Sequence, residues 1–360
     1  MKRRKRIVIK VGTSTLLGEK ERIDEDFVSS LAEDIAELKR NGIEVILVTS
    51  GAIRAGLTHL GLNDNLPLPF IQAVASVGQG ILMRIYESAF SQHNLTIGQV
   101  LLTHEDLASR NRFLNARNTL LALLQLQVIP IINENDTVAT EEIRFGDNDI
   151  LAGMVAATVS ADLLLLLSDV DGLLDEQGKV IQRVDNISED IYALAGPPGR
   201  WGRGGMRSKL ESARIATSAG TDVVIANGRM EKVIQKIVLE SKELGTFFPA
   251  MKRLQAKKQW LTFISRPRGK VVVNEGAMKA IVEENKSLLP VGVIDVEGTF
   301  KRGDVVRIIY DGKEFARGLT NYDSDELKLI MGHRSSEIEE ILGYKGYEEV
   351  IHRDNLALLL

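Results

Sequence analysis

The sequence predicts an α/β protein with a mostly parallel open sheet sandwiched by helices, followed by a small C-terminal all-β barrel. Over the first 250 residues, short aliphatic runs alternate with longer segments of helical periodicity. Aliphatic runs without polar alternation are typical of parallel strands buried on both faces. After residue 268 the runs become short strands separated by Gly and Asp turns, which favours a small barrel.

Length and composition are those of a soluble globular protein with two domains. The chain has 360 residues, and one domain usually holds about 100–200. Hydrophobic residues make up 44% and charged residues 26%, which excludes a largely disordered chain. The net charge of −4 lacks the basic excess of a dedicated nucleic-acid binder. Because the chain has no cysteine, disulfides, thiolate metal sites and cysteine nucleophiles are excluded.

The N-terminus has the basic start of a secretory leader but not its hydrophobic core. The apolar run after Arg6 stops at Lys10, whereas such a leader needs roughly 7–15 apolar residues. The longest aliphatic run, 163–167, is far shorter than the roughly 20 residues of a membrane-spanning helix. We therefore expect a cytoplasmic protein that does not span a membrane.

Strands and helices alternate through the first domain. The aliphatic runs predict strands at 6–11, 44–48, 96–102, 128–132, 163–167 and 223–226. Helical periodicity predicts helices over 24–40 and over about 70–89, 118–126, 148–160 and 208–219. Asp24 is a good N-cap for the first of these, and Asn41-Gly42 ends it. In parallel sheets of this kind ligands bind beyond the carboxyl ends of the strands, so the chemistry is expected there.

Composition changes near residue 250. The stretch 251–270 contains seven Lys or Arg and no acid. Beyond it, strands are predicted at 270–274, 292–296 and 304–309. The predicted organisation is a first domain over 1–250, a basic linker over 251–268 and a second domain over 269–360. The second domain holds 12 basic and 17 acidic side chains, a net charge of −5.

Polar residues and glycines follow several of the predicted strands. They occur at 10–14, 49–52, 133–138, 145–149, 168–172 and 202–209. Each has a structural explanation, since Gly12 and Gly51 permit tight turns and Asp147-Asn-Asp149 can cap a helix. Because a doubly wound sheet gathers its strand ends along one edge, their joint placement predicts a single site.

Two of these features favour a phosphate ligand. Lys10 ends an apolar buried strand, where an ammonium group needs a partner or a ligand. The segment 202–209, Gly-Arg-Gly-Gly-Met-Arg-Ser-Lys, offers backbone N–H groups and positive charge before a helix. The Walker A pattern is absent, and no G-x-G-x-x-G follows the first strand, so dinucleotide binding loses support.

Two lysines flanking a gap are suited to phosphoryl transfer, which depends on positioning and on electrostatic stabilisation of the moving group. A carboxylate acceptor with a pKa of about 4.3 is already ionised at neutral pH and needs no general base. The five histidines form no cluster in the sequence, in keeping with such an acceptor.

These motifs resemble those of the amino acid kinase family, and within it the glutamate 5-kinases. The matching segments are 9–14, 48–52, 133–138, 145–149, 167–173 and 202–209. The last 90 residues resemble the PUA domain, through 316–322, 333–338, 342–344 and 350–355. The first domain would then be the kinase domain, and 269–360 a PUA domain with a C-terminal tail.

The resemblance implies ATP-dependent phosphorylation of the γ-carboxylate of L-glutamate to glutamyl 5-phosphate, the first step of proline biosynthesis. It implies that Lys10 and Lys209 neutralise the transferring phosphoryl group and that Asp149 orients them. Gly12 and Gly51 would offer backbone N–H groups. Glutamate would be bound by Ser50, Asn133, Asp136 and Asn148. The nucleotide would be bound by Lys10, Ser168, Asp169, Arg203, Gly204, Gly205, Met206, Arg207, Ser208 and Lys209.

The resemblance also implies Mg²⁺ held chiefly by phosphates and water, a homo-oligomer (dimer or tetramer) and proline as a feedback inhibitor. The glycine loop departs from the family, which usually has Thr at 203, a small residue at 207 and Thr at 208. Arg203 and Arg207 therefore add positive charge beside the nucleotide. One alternative is a kinase of the same fold acting on another acceptor, such as acetylglutamate, aspartate or carbamate. A second, PUA-mediated RNA binding, is disfavoured by the net charge of −5.

Overall fold

The structure is a computed structural model that describes residues 5–18, 21–138, 148–195, 205–251, 267–344 and 346–359. The chain divides into two compact units, one from Met1–Leu107 and Asn111–Arg253 and the other from Ala108–Arg110 and Leu254–Leu360. Each unit contains one β-sheet. The predicted fold class, an α/β unit with a separate strand-rich unit, is confirmed. Most of the predicted basic linker lies outside the described residues.

The first unit is built on a seven-stranded sheet. Its strands are β1 (Arg6–Val11), β2 (Glu44–Val48), β3 (Ile97–Leu102), β4 (Ile129–Glu134), β5 (Leu163–Ser168), β6 (Asp222–Asn227) and β7 (Thr246–Phe248). They lie in the order β3-β4-β2-β1-β5-β6-β7, and only β6 and β7 pair antiparallel. Lys10 of the central β1 lies between Val48 and Leu166. Since β1 joins β2 on one side and β5 on the other, crossovers diverge there and a ligand crevice is expected.

Ten helices are described between β1 and β7. They are α1 (Thr13–Leu16), α2 (Glu25–Arg40), α3 (Ala52–Leu60), α4 (Leu68–Ser91), α5 (His104–Ala108), α6 (Arg110–Gln125), α7 (Asn148–Val159), α8 (Glu189–Ala193), α9 (Met206–Ser218) and α10 (Val233–Val238). Asp24 caps α2 as predicted, because its side chain accepts a hydrogen bond from the Phe27 N–H at 3.0 Å. The predicted start of α6 near Asn118 is wrong, since the helix begins at Arg110. Its first turns are mainly polar and therefore lack the periodic signal.

Helix α4 has the length and composition to cross a membrane, yet it packs within the first unit. It lies against α2 and α3, and its Tyr86 and Phe90 side chains are fully buried. Its contact with α3 is close because glycine faces backbone there. A Cβ atom on Gly78 would lie 1.7 Å from the Ala52 carbonyl oxygen, which no side chain rotation can relieve. The α3–α4 crossing therefore depends on glycine.

The second unit contains a five-stranded sheet. Its strands are β8 (Gly269–Val273), β9 (Val293–Gly298), β10 (Val305–Tyr310), β11 (Lys313–Leu319) and β12 (Leu356–Leu358), in the order β12-β11-β10-β8-β9. Only β8 and β10 pair parallel. Within the described residues of this unit, three short α-helices accompany the sheet: α11 (Glu275–Val282), α12 (Ser324–Ile330) and α13 (Ile338–Leu342). The sequence analysis did not anticipate them, because helices of eight residues or fewer show little periodicity.

Alanine substitutions at two glycines of α4 should change the free energy of unfolding in opposite directions. Gly78→Ala should lower the free energy of unfolding by about 3 kcal/mol or more, because the added methyl meets backbone. Gly80→Ala should raise it by up to about 1 kcal/mol, because no described atom lies within 4 Å of a Cβ there and alanine favours a helix. Urea denaturation followed by circular dichroism measures both. Equal effects of the two substitutions would contradict the close α3–α4 contact.

Candidate active site

Three charged side chains meet beyond the carboxyl end of β1. Lys10 comes from β1, Asp149 from the first turn of α7, and Lys209 from the first turns of α9. The Lys10 Nζ lies 2.5 Å from Asp149 Oδ1, and the Lys209 Nζ lies 3.1 Å from Asp149 Oδ2. None of the three residues is more than 7% exposed. One buried carboxylate therefore bridges two ammonium groups, and we call these residues the charged cluster.

The electrostatics of the charged cluster favour an anionic ligand. Burial raises the pKa of Asp149, but Lys10, Lys209 and the Ser208 hydroxyl outweigh it and hold that pKa below its ordinary value. Ser208 Oγ donates a hydrogen bond to Asp149 Oδ2 at 2.9 Å. With Asp149 ionised, one carboxylate lies between two buried ammonium groups. Two ammonium groups held this close together suit a ligand with several anionic oxygens.

Close packing of α7 on α9 brings the two halves of the cluster together. The helices meet at Gly153, where a Cβ would lie 2.7 Å from the Ser212 carbonyl oxygen. Gly153 follows Asp149 by one turn, and Ser212 follows Lys209 by nearly one turn. The contact therefore holds the two helix starts close enough for the carboxylate to reach the ammonium group.

Beside the charged cluster, Asn148 joins two further predicted residues. Asn148 Nδ2 donates hydrogen bonds to Ser50 Oγ at 3.0 Å and to Asn133 Oδ1 at 3.1 Å. Asn148 Oδ1 accepts one from the Glu134 backbone N–H at 3.2 Å. All three side chains are buried. Because Asn148 precedes Asp149 directly, this amide network and the charged cluster are neighbouring parts of one site.

The amide network includes a residue that the sequence analysis missed. Asn133 Nδ2 donates a hydrogen bond to Gln79 Oε1 at 2.8 Å. Gln79 lies in α4 and is 9% exposed. It occupies the buried stripe of Ala75, Leu82 and Tyr86, so a polar residue at an apolar helical position was the available signal.

Asp136 lies in a 3₁₀ turn, Asp136–Val138, that follows β4. Burial and the neighbouring Glu134 carboxylate raise the pKa of Asp136 to about 7. Glu134 is itself buried, and its Oε2 lies 3.4 Å from the Nδ1 of His104, a residue to which the sequence assigned no role. A cationic group of a ligand would therefore be stabilised at Asp136.

Four further predicted residues lie at the ends of β1, β2 and β5. Gly51 is the N-cap of α3 and has φ +93°, in the left-handed region that favours glycine. The Gly12 N–H donates to the Leu167 carbonyl at 3.3 Å, and Ser168 Oγ donates to Asp169 Oδ1 at 3.1 Å. Their roles toward substrate or nucleotide stay predictions.

The glycine loop is described only from Gly205 onward, and Arg203 and Gly204 lie outside the described residues. Gly205 is the N-cap of α9, and Met206 is its first residue. The Arg207 guanidinium is exposed and lies over the Tyr192 ring, 5.7 Å from its centroid. An open cavity of about 650 Å³ adjoins Ser208 and is lined by Arg207 and Tyr192, within the size range of small-molecule sites.

Comparisons with known proteins show the family to which the chain belongs. The amino acid kinase family matches residues 5–227, and the PUA domain matches residues 269–342. Three relatives, each named glutamate 5-kinase, align with 98% of this chain. The protein from Syntrophotalea carbinolica is 48% identical over 97% of its own length. Those from Caldanaerobacter subterraneus and Thermus thermophilus are 47% identical over 98% and 97% of theirs. The resemblance inferred from the motifs is confirmed.

Proposed function

This chain belongs to the amino acid kinase family, and within it to the glutamate 5-kinases, and on that premise we propose that it phosphorylates the γ-carboxylate of L-glutamate with ATP. The product is glutamyl 5-phosphate, and the reaction is the first step of proline biosynthesis. The observation that carries the proposal is the charged cluster, in which two buried ammonium groups face one carboxylate. A phosphoryl group is the anion that such a cluster suits.

In the proposed reaction the ammonium groups of Lys10 and Lys209 stabilise the phosphoryl group in the transition state of its transfer. One γ-carboxylate oxygen forms a bond to the γ-phosphorus of ATP while the bond to the bridging oxygen breaks, and ADP leaves. The preorganised ammonium groups stabilise the negative charge that develops on the equatorial oxygens of the phosphoryl group. This stabilisation is the main cause of rate enhancement in such reactions. Asp149 positions both ammonium groups. The acceptor is ionised at neutral pH, so no general base is required.

Glutamate would occupy the amide network and the turn beyond it. Ser50 and Asn148 offer a hydroxyl and an amide beside the charged cluster, where the γ-carboxylate must lie. Asp136 would pair with the α-ammonium group through a charge-assisted hydrogen bond. Binding that cation favours the ionised form of Asp136 and so lowers its raised pKa.

The nucleotide would lie over the ends of β5 and α9. Ser168, Asp169 and the start of α9 supply polar and backbone groups, and the cavity beside Ser208 supplies space. The described residues contain no cluster of three or more His, Asp or Glu that could hold a metal ion. This fits Mg²⁺ that arrives with ATP and keeps phosphate oxygens and water as its main ligands. When bound, Mg²⁺ neutralises phosphate charge.

Family membership supports the remaining parts of the proposal. They are a cytoplasmic location, assembly into a dimer or tetramer, and inhibition by proline as the end product. RNA binding by the PUA domain gains no support, since residues 269–360 carry a net charge of −5.

The proposed substrate is tested by an acceptor panel. Purified protein with ATP and Mg²⁺ should phosphorylate L-glutamate with a higher kcat/KM than N-acetylglutamate or aspartate, measured by ADP release. N-acetylglutamate lacks the ammonium group that Asp136 would bind, so it should be a poor acceptor. A preference for either competitor would overturn the assignment of glutamate.

The lysines are tested by truncation. Lys10→Ala and Lys209→Ala should each lower kcat by at least about 10²-fold, the usual scale for lost transition-state electrostatics. The matched control is Lys179→Ala, which removes an exposed ammonium group of the same unit and should leave kcat unchanged. Near-normal turnover in a folded Lys10 or Lys209 variant would contradict these roles.

The raised pKa of Asp136 predicts that the kcat/KM for glutamate depends on pH. Because its pKa is about 7, the free protein loses the Asp136 negative charge as pH falls through 7, while the glutamate α-ammonium stays charged. The kcat/KM for glutamate should therefore rise from about pH 6 and level off above about pH 7 to 8. Asp136→Asn should give a low kcat/KM without this inflection. An unchanged pH profile in that variant would place the titrating group elsewhere.

A further inference from the structure

Gln79 has a buried hydrogen-bond donor that the protein does not use. Its Oε1 accepts from Asn133 Nδ2 at 2.8 Å. Its Nε2 has no acceptor within hydrogen-bond distance among the described residues, although the residue is only 9% exposed. Buried amide groups are nearly always paired, so this donor requires an explanation.

The orientation of the Gln79 amide follows from a backbone group. The Glu134 N–H can only donate, and it donates to Asn133 Oδ1 at 3.0 Å and to Asn148 Oδ1 at 3.2 Å. Both asparagines must therefore turn their Nδ2 groups away from it. Asn133 Nδ2 then donates to Gln79, so Gln79 must offer its oxygen there and keep its Nε2 for another acceptor.

The position of Gln79 indicates which acceptor this is. Helix α4 packs against the 3₁₀ turn that carries Asp136, the residue proposed to bind the α-ammonium group. The γ-carboxylate lies at the other end of the substrate, at the charged cluster. The α-carboxylate and the ammonium group are attached to the same α-carbon. The α-carboxylate therefore lies at the Asp136 end of the substrate.

We propose that Gln79 Nε2 donates a hydrogen bond to the α-carboxylate of the substrate and thereby selects acceptors that carry this group. The inference rests on the proposed function, since it concerns the same substrate. Together the two residues recognise an α-amino acid: Asp136 binds its α-ammonium group and Gln79 binds its α-carboxylate. The Gln79 donor is already buried and oriented before the substrate binds, so it can bind a carboxylate without reorganisation. A ligand that lacks an acceptor at this position leaves the donor unpaired.

The sharpest test is Gln79→Glu, which keeps an oxygen for Asn133 Nδ2 and replaces the free donor with a carboxylate oxygen. We expect the KM for glutamate to rise about tenfold or more, with the KM for ATP within about twofold of wild type. The inhibition constant of isoglutamine, which has an amide in place of the α-carboxylate, should rise much less, because its amide can donate to the new oxygen. The matched control is Gln92→Glu, which adds the same charge at the exposed end of α4 and should change neither constant.

A second variant covers the case in which the buried charge of Gln79→Glu prevents folding. Gln79→Met adds no charge and removes both the free donor and the oxygen that accepts from Asn133. It should raise the KM for glutamate about tenfold while isoglutamine inhibition weakens less. An unchanged KM for glutamate in a folded variant, or equal weakening of both compounds, would overturn the proposal. Absence of glutamate phosphorylation by the wild-type protein would instead refute the proposed function itself.

Discussion

The structure depends on one buried carboxylate that holds two ammonium groups together. Without Asp149, Lys10 and Lys209 would face each other at low exposure with like charge and little solvation. The carboxylate is shared between them, with one oxygen facing each ammonium group. Both ammonium groups are thereby held in place at one buried site. The close contact of α7 and α9 at Gly153 holds the starts of these helices near each other, and so holds the cluster together.

In the proposed complex, the site would separate charge along the length of the substrate. At one end would lie the charged cluster with its two ammonium groups, next to Ser50 and Asn148. At the other would lie Asp136, which ionises near pH 7, and the free donor of Gln79. Neutral amides connect the two ends and contribute hydrogen bonds without charge. An amino acid with a carboxylate at its far end matches this order of groups.

The elements of the fold were predictable where burial imposes a regular pattern. Strand β5 is fully buried, and its aliphatic run predicted it to within one residue. Helix α6 was misplaced at its start because its first turns are mainly polar in sequence and carry no apolar stripe. The helices of the second unit are too short for periodicity to register. In each case the error follows from a weak local signal and not from a wrong fold class.

The contacts of Arg207 and Gln79 could not be predicted from the sequence. The contact of the Arg207 guanidinium with the Tyr192 ring joins two helices and has no signal in the sequence, while the predicted position of Arg207 beside the nucleotide stays a prediction. Gln79 was hidden on the buried face of α4, where its neighbours Ala75, Leu82 and Tyr86 are core residues. Its free donor is apparent only because a backbone N–H from β4 orients two asparagines from other elements. Such a chain of hydrogen bonds joins residues distant in sequence.

The sequence by itself determined the parallel sheet, the separate strand-rich unit and the residue types at the strand ends, because burial periodicity and turn chemistry are local properties. It also determined that Lys10 needed a partner, since a charge cannot remain unpaired in an apolar strand. The resemblance had assigned Asp149 to Lys10 and Lys209, and the tertiary structure brings the three charged groups together and leaves Gln79 Nε2 without an acceptor among the described residues. Those outcomes depend on distances between elements set by helix packing, which no local pattern encodes.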